Sequence, residues 1–273
     1  MAFKIGFTAE HYESKTDESV FSAPKAEARA RKSVVQVKFP KRGMELSYYN
    51  DSFDLKCGDM VYVDGKLEGQ IGIITGVSYN FKIKLSDYKR VIALVDTDVK
   101  GRFFTAGSHF VSFDREAIPV TKIRSWFMAP NNAEEEEDVV SGSDDSFFRL
   151  DELSGMNISP AIAERGRDYY VENKVRYICL DGGRGYAIVE GREAYEVEFE
   201  FRGGEIRGLI CSCFCSGNCK HGFAAMLQLR ETLEHICKHY EEELERSDYF
   251  AAILKSVLFT FAIDGKEGSS FTL

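Results

Sequence analysis

Residues 205–227 read EIRGLICSCFCSGNCKHGFAAML, and this stretch decides how the C-terminal half of the chain folds. It holds four of the chain's seven cysteines within nine residues, and a histidine follows two positions after the last of them. The apolar run before the cysteines predicts a strand, and the run after them predicts a long helix. Clustered thiols at such a junction indicate a metal site that joins the strand to the helix.

The spacing of these side chains suits one tetrahedral ion. Cys211 and Cys213 lie two residues apart in an extended segment, so both sulfurs point to the same side. A five-residue loop then leads to Cys219 and His221, which lie at the predicted helix start. Zinc accepts such a Cys3His set, and because four protein ligands fill its shell, no position remains for substrate or water. The pattern therefore predicts one structural zinc ion, with Lys220 placed to offset the charge of the thiolates.

The stretch CSCFCSGNCKHGFAAML resembles the SWIM zinc finger, in which Cys-x-Cys, a variable spacer and Cys-x-His lie at a helix start. The resemblance covers roughly residues 159–245, because RGRDYYVENKV, GYAIVEG and YEVEFEF are similar to the helix and β-meander that lead into this motif in bacterial proteins. It implies that zinc is held by Cys211, Cys213, Cys219 and His221. It also implies binding to DNA or to protein partners, with no enzymatic activity of the module itself.

Cys215 leaves other ligand sets open. It forms a second Cys-x-Cys pair with Cys213, but only three residues would then precede Cys219, which is short for the SWIM pattern. An all-cysteine set of Cys211, Cys213, Cys215 and Cys219 would instead suit zinc or an iron–sulfur cluster. A redox disulfide that uses Cys215 as the spare thiol is a further alternative. The ligand set that begins with Cys211 and Cys213 is the favoured one.

Helix and strand signals alternate in the rest of the C-terminal half. Ser159 and Pro160 form a cap and first position for a helix. Four strands separated by glycine-containing turns follow, at residues 175–180, 186–191, 195–201 and 205–211. Apolar residues at three- and four-residue steps after the cysteines predict one long amphipathic helix. A last helix is expected to start at Ser247 and Asp248.

The N-terminal half contains short β-type segments rich in Val, Ile and Phe. They lie at residues 35–39, 59–65, 69–77, 81–85, 90–96 and 110–113. Such a series indicates a small barrel or a compact sandwich. Residues 58–77, GDMVYVDGKLEGQIGIITGV, resemble the opening of an SH3-like barrel of the KOW type, which occurs in ribosome- and transcription-associated proteins. The expected fold class is therefore α+β: a small SH3-like barrel, an acidic linker, and a β-meander with helices and a zinc knuckle.

The distribution of charge suggests the domain boundaries. The net charge is −9, and residues 131–152 hold nine acidic residues and one arginine, so the rest of the chain is close to neutral. Residues 131–150 are predicted to be a flexible acidic linker between an all-β domain, 34–130, and a zinc-binding domain, 151–273. Residues 1–33 are predicted to form an N-terminal arm. Because the acidity is local, it does not argue against nucleic-acid binding.

Several function classes are disfavoured by the sequence. It lacks the phosphate-loop, zinc-protease, nucleophile-elbow and dinucleotide motifs, so we expect no enzyme and no small-molecule substrate. Ser108 and His109 are not expected to form a nucleophile–base pair, because neighbours in a strand face opposite ways. No signal peptide and no bilayer-spanning run is evident, which predicts a cytoplasmic protein without a membrane partner.

The predicted function is a non-catalytic zinc protein that binds DNA or RNA. Basic and aromatic residues interleave in the N-terminal half, as single-stranded nucleic acid requires, although a solvated strand face produces the same pattern. These residues are Lys38, Lys41, Arg42, Lys82, Lys84, Lys89 and Arg90, with Tyr48, Tyr49, Tyr79, Phe81 and Tyr88. A helicase- or transcription-associated protein adaptor and a thiol redox sensor are the alternatives.

We expect the remaining histidines and cysteines to have structural roles only. His235 and His239 lie four residues apart on the long helix, and we expect them to belong to a solvated polar face. Cys57, Cys179 and Cys237 lie in apolar surroundings and are predicted to be buried.

Overall fold

A computed structural model describes residues 30–130, 142 and 146–263. Its strands are β1 (Ser33–Phe39), β2 (Met44–Asn50), β3 (Met60–Val63), β4 (Gly72–Ser78), β5 (Val91–Leu94), β6 (Phe104–Ala106), β7 (His109–Ser112), β8 (Phe147–Arg149), β9 (Val175–Asp181), β10 (Arg184–Glu190), β11 (Ala194–Arg202), β12 (Glu205–Cys211) and β13 (Tyr249–Leu254). Its α-helices are α1 (Val120–Phe127), α2 (Pro160–Val171), α3 (Lys220–His239), α4 (Glu241–Ser247) and α5 (Lys255–Leu258). The mixed α+β class is confirmed.

Eight strands form one antiparallel sheet in the order β6-β7-β13-β9-β10-β11-β12-β8. The predicted meander is confirmed, because β9, β10, β11 and β12 pair in chain order. The predicted helix before it is confirmed as α2, whose first turn is capped by the Ser159 side chain with Pro160 at its start. The meander ends at Cys211, so the sheet itself delivers the first cysteine of the cluster.

The last strand, β13, lies in the middle of this sheet, between β7 and β9. The helix predicted from Ser247 and Asp248 is therefore wrong. Asp248 has a left-handed φ of 48° and follows the end of α4, and every residue of Tyr249–Leu254 is buried. A strand that is covered on both faces is apolar throughout, so its sequence lacks the alternation that separates a strand from a helix.

Helices cover both faces of the eight-stranded sheet. On one face, α3 covers residues such as Ile178 and Val197, and α2 packs on α3. On the other face, residues of α1 and α5 lie in one core with Tyr177 and Ile188, and this core also includes Tyr62 of β3. The two sheets consequently share a hydrophobic core. None of the described helices has the length and apolarity that crossing a membrane requires.

The N-terminal strands form a five-stranded sheet in the order β2-β1-β4-β3-β5. A single bridge joins Tyr49 of the edge strand β2 to Arg90, the residue that precedes the other edge strand, β5. No sheet in the described ranges closes into a barrel, so the predicted SH3-like barrel is not confirmed. Two predicted strands do not contribute to this sheet: residues 81–85 belong to the β4–β5 connection, and residues 110–113 overlap β7 in the other sheet. The strand β2 was not predicted.

The observed pairing crosses the predicted domain boundary. Strand β7 falls within the predicted domain 34–130 but pairs with β13 near the other end of the chain. Strand β8 falls within the predicted linker 131–150 but pairs with β12. Of the predicted linker, residues 131–141 and 143–145 lie outside the described residues, as do residues 1–29 of the predicted arm.

Candidate metal centre

The cysteine loop connects β12 to α3, and neighbouring elements fix both of its ends. At its start, the Ser212 amide donates to the Glu196 carbonyl at 2.9 Å, and the Ser212 hydroxyl accepts from the Glu196 amide at 2.9 Å. At its end, the Asn218 side-chain amide donates to the carbonyl oxygen of Met156. Between these anchors Phe214 adopts a φ of 54°, a left-handed conformation that turns the chain back. The loop thereby returns the chain to the start of α3.

Cys211, Cys213, Cys219 and His221 converge at this junction. One donor atom from each of them lies within 4.8 Å of all the others. His221 Nδ1 is 3.7 Å from Cys211 Sγ and 3.8 Å from Cys219 Sγ, so this nitrogen faces the sulfurs. A tetrahedral zinc ion with ordinary bond lengths separates its sulfur and nitrogen ligands by about 3.6 Å. The donor set and its spacing therefore fit one such ion.

The imidazole of His221 is held by two aromatic rings. Tyr195 of β11 stacks on it, with the ring centroids 4.1 Å apart and the planes at 17°. Tyr169 of α2 meets it edge-on at 5.4 Å. The other ring nitrogen, Nε2, is buried without a hydrogen-bond partner among the described residues. Since metal-bound histidines are usually oriented by a hydrogen bond at that nitrogen, orientation here depends on the stacked rings.

The first turn of α3 favours negative charge on Cys219. This residue is the N-cap of the helix, and its sulfur accepts a hydrogen bond from the Gly222 amide at 3.4 Å. A hydrogen bond from Cys211 is the main cause that lowers the pKa of Cys219 to about 3, with help from His221 and Gly222. The same contact, together with burial, raises the pKa of Cys211 well above its usual range. Burial raises the pKa of Cys213 to about 11.

These shifts describe three thiols that share one negative charge in the absence of a cation. Binding of a divalent ion requires thiolates, so it displaces the protons that Cys211 and Cys213 otherwise retain. Lys220, predicted to offset the charge of the site, lies with its ammonium 4.5 Å from the centroid of the Tyr169 ring. The lysine therefore packs on the same tyrosine that borders His221.

Cys215 does not belong to this group of donors. Its side chain is exposed, whereas Cys219 and His221 are buried and the other two cysteines are half-buried. The all-cysteine set considered from the sequence is therefore not the set that the fold brings together. Cys215 does, however, interact with the side chain of the neighbouring Cys213.

The other histidines and cysteines lie away from this centre. His235 Nε2 is 3.0 Å from the Thr105 carbonyl, and its ring lies 4.7 Å from that of His239. Within the described ranges no third ligand joins that histidine pair. Cys179 is buried as predicted, but the predictions for Cys57 and Cys237 are wrong, because both are exposed.

Ser108 and His109 do form a hydrogen bond, which the alternation of a strand did not predict. The Ser108 hydroxyl lies 3.0 Å from His109 Nδ1. The other nitrogen of His109 lies 2.9 Å from the Val175 carbonyl, and the imidazole is fully buried. Because Ser108 precedes the strand β7 rather than belonging to it, the rule of opposite faces does not apply. Both imidazole nitrogens are engaged within the core, which indicates a structural role.

Comparison with models of known families, with curated proteins and with solved structures finds no match to this chain. The resemblance to the SWIM finger therefore depends on the motif residues and remains a prediction. Sequence reasoning did not assign roles to Tyr169, Tyr195 and Asn218. For Tyr195 a signal existed, because it lies two residues before the buried Val197 on β11, the strand that pairs with the cysteine-bearing strand β12.

Proposed function

We propose that this protein is a non-catalytic zinc protein, in which Cys211, Cys213, Cys219 and His221 hold one structural ion. The observation that carries the proposal is the convergence of four donor atoms within 4.8 Å, all supplied by the chain. Three thiolates and an imidazole are a ligand set that zinc favours. When bound, zinc would supply no reaction chemistry there, because a closed shell offers no open coordination position.

The proposed role of the ion is to join the sheet to the helical layer. Cys211 ends β12, Cys219 caps α3, and His221 lies in the first turn of α3. Apart from the ion, few apolar contacts connect the loop to the rest of the molecule, because residues 214–217 are exposed. Binding free energy at such a site is obtained as folding free energy.

Single-stranded or double-stranded nucleic acid is the proposed class of partner. Support comes from the SWIM resemblance and from the concentration of the chain's negative charge in residues 131–152, which leaves the rest near neutral. A protein partner is the second candidate, and one observation favours it. Phe214 in the cysteine loop is 77% exposed, and Ile210 of β12, which directly precedes Cys211, is also exposed.

Metal content in matched variants tests the zinc proposal. Plasma mass spectrometry of purified protein is expected to find about one zinc per chain in the wild type and in Cys215→Ser, and a loss of zinc in Cys219→Ser. The two variants make the same replacement in the same loop. Zinc retained by Cys219→Ser, or lost from Cys215→Ser, would overturn the ligand assignment.

A second measurement keeps the test valid if Cys219→Ser does not fold. Wild-type protein is stripped with a chelator and reloaded with cobalt. Thiolate-to-cobalt charge-transfer absorption, present in the wild type and in Cys215→Ser alike, supports the set that excludes Cys215. Absence of that absorption in folded, cobalt-treated wild type contradicts the proposal.

A further inference from the structure

The connection between β4 and β5, residues 79–90, carries large side chains that remain partly exposed. We call it the basic aromatic loop. It contains no regular element except a short 3₁₀ turn, Leu85–Asp87. Tyr79 is 37% exposed, Phe81 36% and Leu85 52%. Because large apolar side chains normally avoid water, several of them on one short loop indicate a contact surface.

The same loop is positively charged. It contains Lys82, Lys84, Lys89 and Arg90 against a single acidic residue, Asp87. Arg90 is neutralised by Asp51, whose carboxylate lies 2.8 Å from its guanidinium. Within the described ranges the three lysines form no ion pair, and all three are exposed. The loop thus presents free cations on a chain whose net charge is −9.

The rings and cations are arranged together rather than scattered. The Arg31 guanidinium lies 4.1 Å from the centroid of the Tyr79 ring, and Phe81 meets the buried Tyr49 edge-on at 6.2 Å. The Tyr49 amide donates to the Lys89 carbonyl at 2.9 Å, which fixes the end of the loop to β2. The two exposed rings are therefore positioned on a supported backbone, with charged side chains beside them.

We propose that the basic aromatic loop binds single-stranded nucleic acid, with Tyr79 and Phe81 stacking on bases and the lysines contacting phosphates. This inference rests on the nucleic-acid binding proposed above and names the surface that performs it. Exposed rings contact bases only where those bases are unpaired, whereas lysines contact any phosphate backbone. Rings alone would suit an apolar protein surface, but the unpaired lysines favour a polyanion. The combination therefore selects a single strand over a duplex or an apolar protein surface.

Fluorescence anisotropy with zinc-loaded full-length protein tests this inference. The probes are labelled 20-nucleotide oligo(dT), oligo(U) and a DNA duplex of the same length. Replacing one stacking ring with alanine is expected to weaken single-strand binding about tenfold, and Tyr79→Ala with Phe81→Ala about a hundredfold. Lys82→Ala with Lys84→Ala is expected to reduce the slope of log affinity against log salt by about 1.4, at roughly 0.7 for each lost phosphate contact.

Phe147→Ala is the matched control. Phe147 is also an exposed phenylalanine with an arginine over its ring, since the Arg207 guanidinium lies 4.8 Å from its centroid, but it lies on β8 at an edge of the other sheet. This variant is expected to bind the oligonucleotides as the wild type does. Thermal unfolding of all variants checks that weaker binding is not a loss of folding, because Phe81 also packs against Tyr49 and both rings are only partly exposed.

The outcomes separate this inference from the proposed function. If the Tyr79 and Phe81 double variant binds as tightly as the wild type, the loop is not the surface, while nucleic-acid binding stands. Equal affinity for the duplex, or displacement of the probe by polyglutamate as effectively as by unlabelled oligonucleotide, overturns the single-strand assignment. If wild-type protein binds none of the probes, both the inference and the proposed nucleic-acid function fail. A preference between oligo(dT) and oligo(U) decides whether the strand is DNA or RNA.

Discussion

Gly166 determines how closely α2 approaches the helix that carries two of the proposed ligands, and replacing it with alanine tests that approach. Gly166 is the buried position of α2. A Cβ placed on it would lie 2.8 Å from Phe223 Cδ1 and 2.9 Å from the carbonyl oxygen of Lys220. Carbon atoms in contact are about 3.5–4.0 Å apart, so α3 would have to move. Lys220 stands between Cys219 and His221, so the movement would reach the metal centre.

Two opposing effects decide how much Gly166→Ala changes the free energy of unfolding. Alanine in a helix interior is favoured over glycine by about 1 kcal/mol. Overpacking of a filled core costs about 1–3 kcal/mol, and the upper part of this range applies because one of the crowded atoms is backbone. The expected result for Gly166→Ala is therefore a net loss of about 1–2 kcal/mol in the free energy of unfolding. A weaker affinity for zinc should accompany it.

Urea unfolding with saturating zinc measures the loss in the free energy of unfolding, and competition with a chromophoric chelator measures the affinity for zinc. At a slope near 3 kcal/mol per molar, the unfolding midpoint should fall by roughly half a molar. Gly217→Ala is the control, because it lies in the cysteine loop and a Cβ there would meet nothing within 4 Å. A Gly166→Ala protein as stable as the wild type would show that α2 and α3 accommodate the added methyl group without strain, which would refute the reasoning.

Two further predictions concern His109 and Tyr195. Burial lowers the pKa of His109 to about 4. The unfolded chain, in which the histidine has its ordinary pKa of about 6.5, therefore takes up a proton first as the pH falls. The stability that neutral His109 contributes to the folded state is complete above pH 6.5 and is lost as the pH falls towards 4. The free energy of unfolding should therefore fall by about 2 kcal/mol more between pH 7 and pH 5 in the wild type than in His109→Gln, as measured by urea unfolding; equal falls would contradict this. Tyr195→Ala should weaken zinc binding roughly tenfold in the chelator competition, because the ring that stacks on His221 is lost, whereas Tyr195→Phe should retain the affinity. Equal affinities in the two variants would show that stacking does not orient the ligand.

The parts of this protein that local patterns specify were predicted well. Strands β9 to β12 are short runs separated by glycine-containing turns, and the Ser159 cap precedes its helix, so each signal lies within a few residues. The cysteine spacing likewise places its donors by local geometry. The strand pairing that was not predicted is long-range. Strand β7 pairs with β13, which lies about 140 residues later in the chain, and no local pattern encodes such a partner.

The core that spans the predicted domain boundary has the same cause. An acidic, polar segment is a good signal for a chain that does not bury apolar surface, but it does not reveal whether the elements on either side pack together. Here Trp126 of α1, before the segment, lies in one core with Tyr177 of β9, after it. Composition therefore located the segment without locating the boundary of the core.

The proposed metal would supply the energy that orders the cysteine loop at this corner of the fold. Between β12 and the N-cap of α3, residues 212–218 bury little apolar surface, and their backbone hydrogen bonds to the rest of the molecule are few. Ordering a backbone costs about 1–2 kcal/mol for each residue, or roughly 7–14 kcal/mol for this segment. A structural zinc site contributes about 10–16 kcal/mol, which is the same range. The proposed ion would therefore offset the ordering of a loop that hydrophobic packing does not hold, while the cores on both faces of the sheet stabilise the elements that it would join.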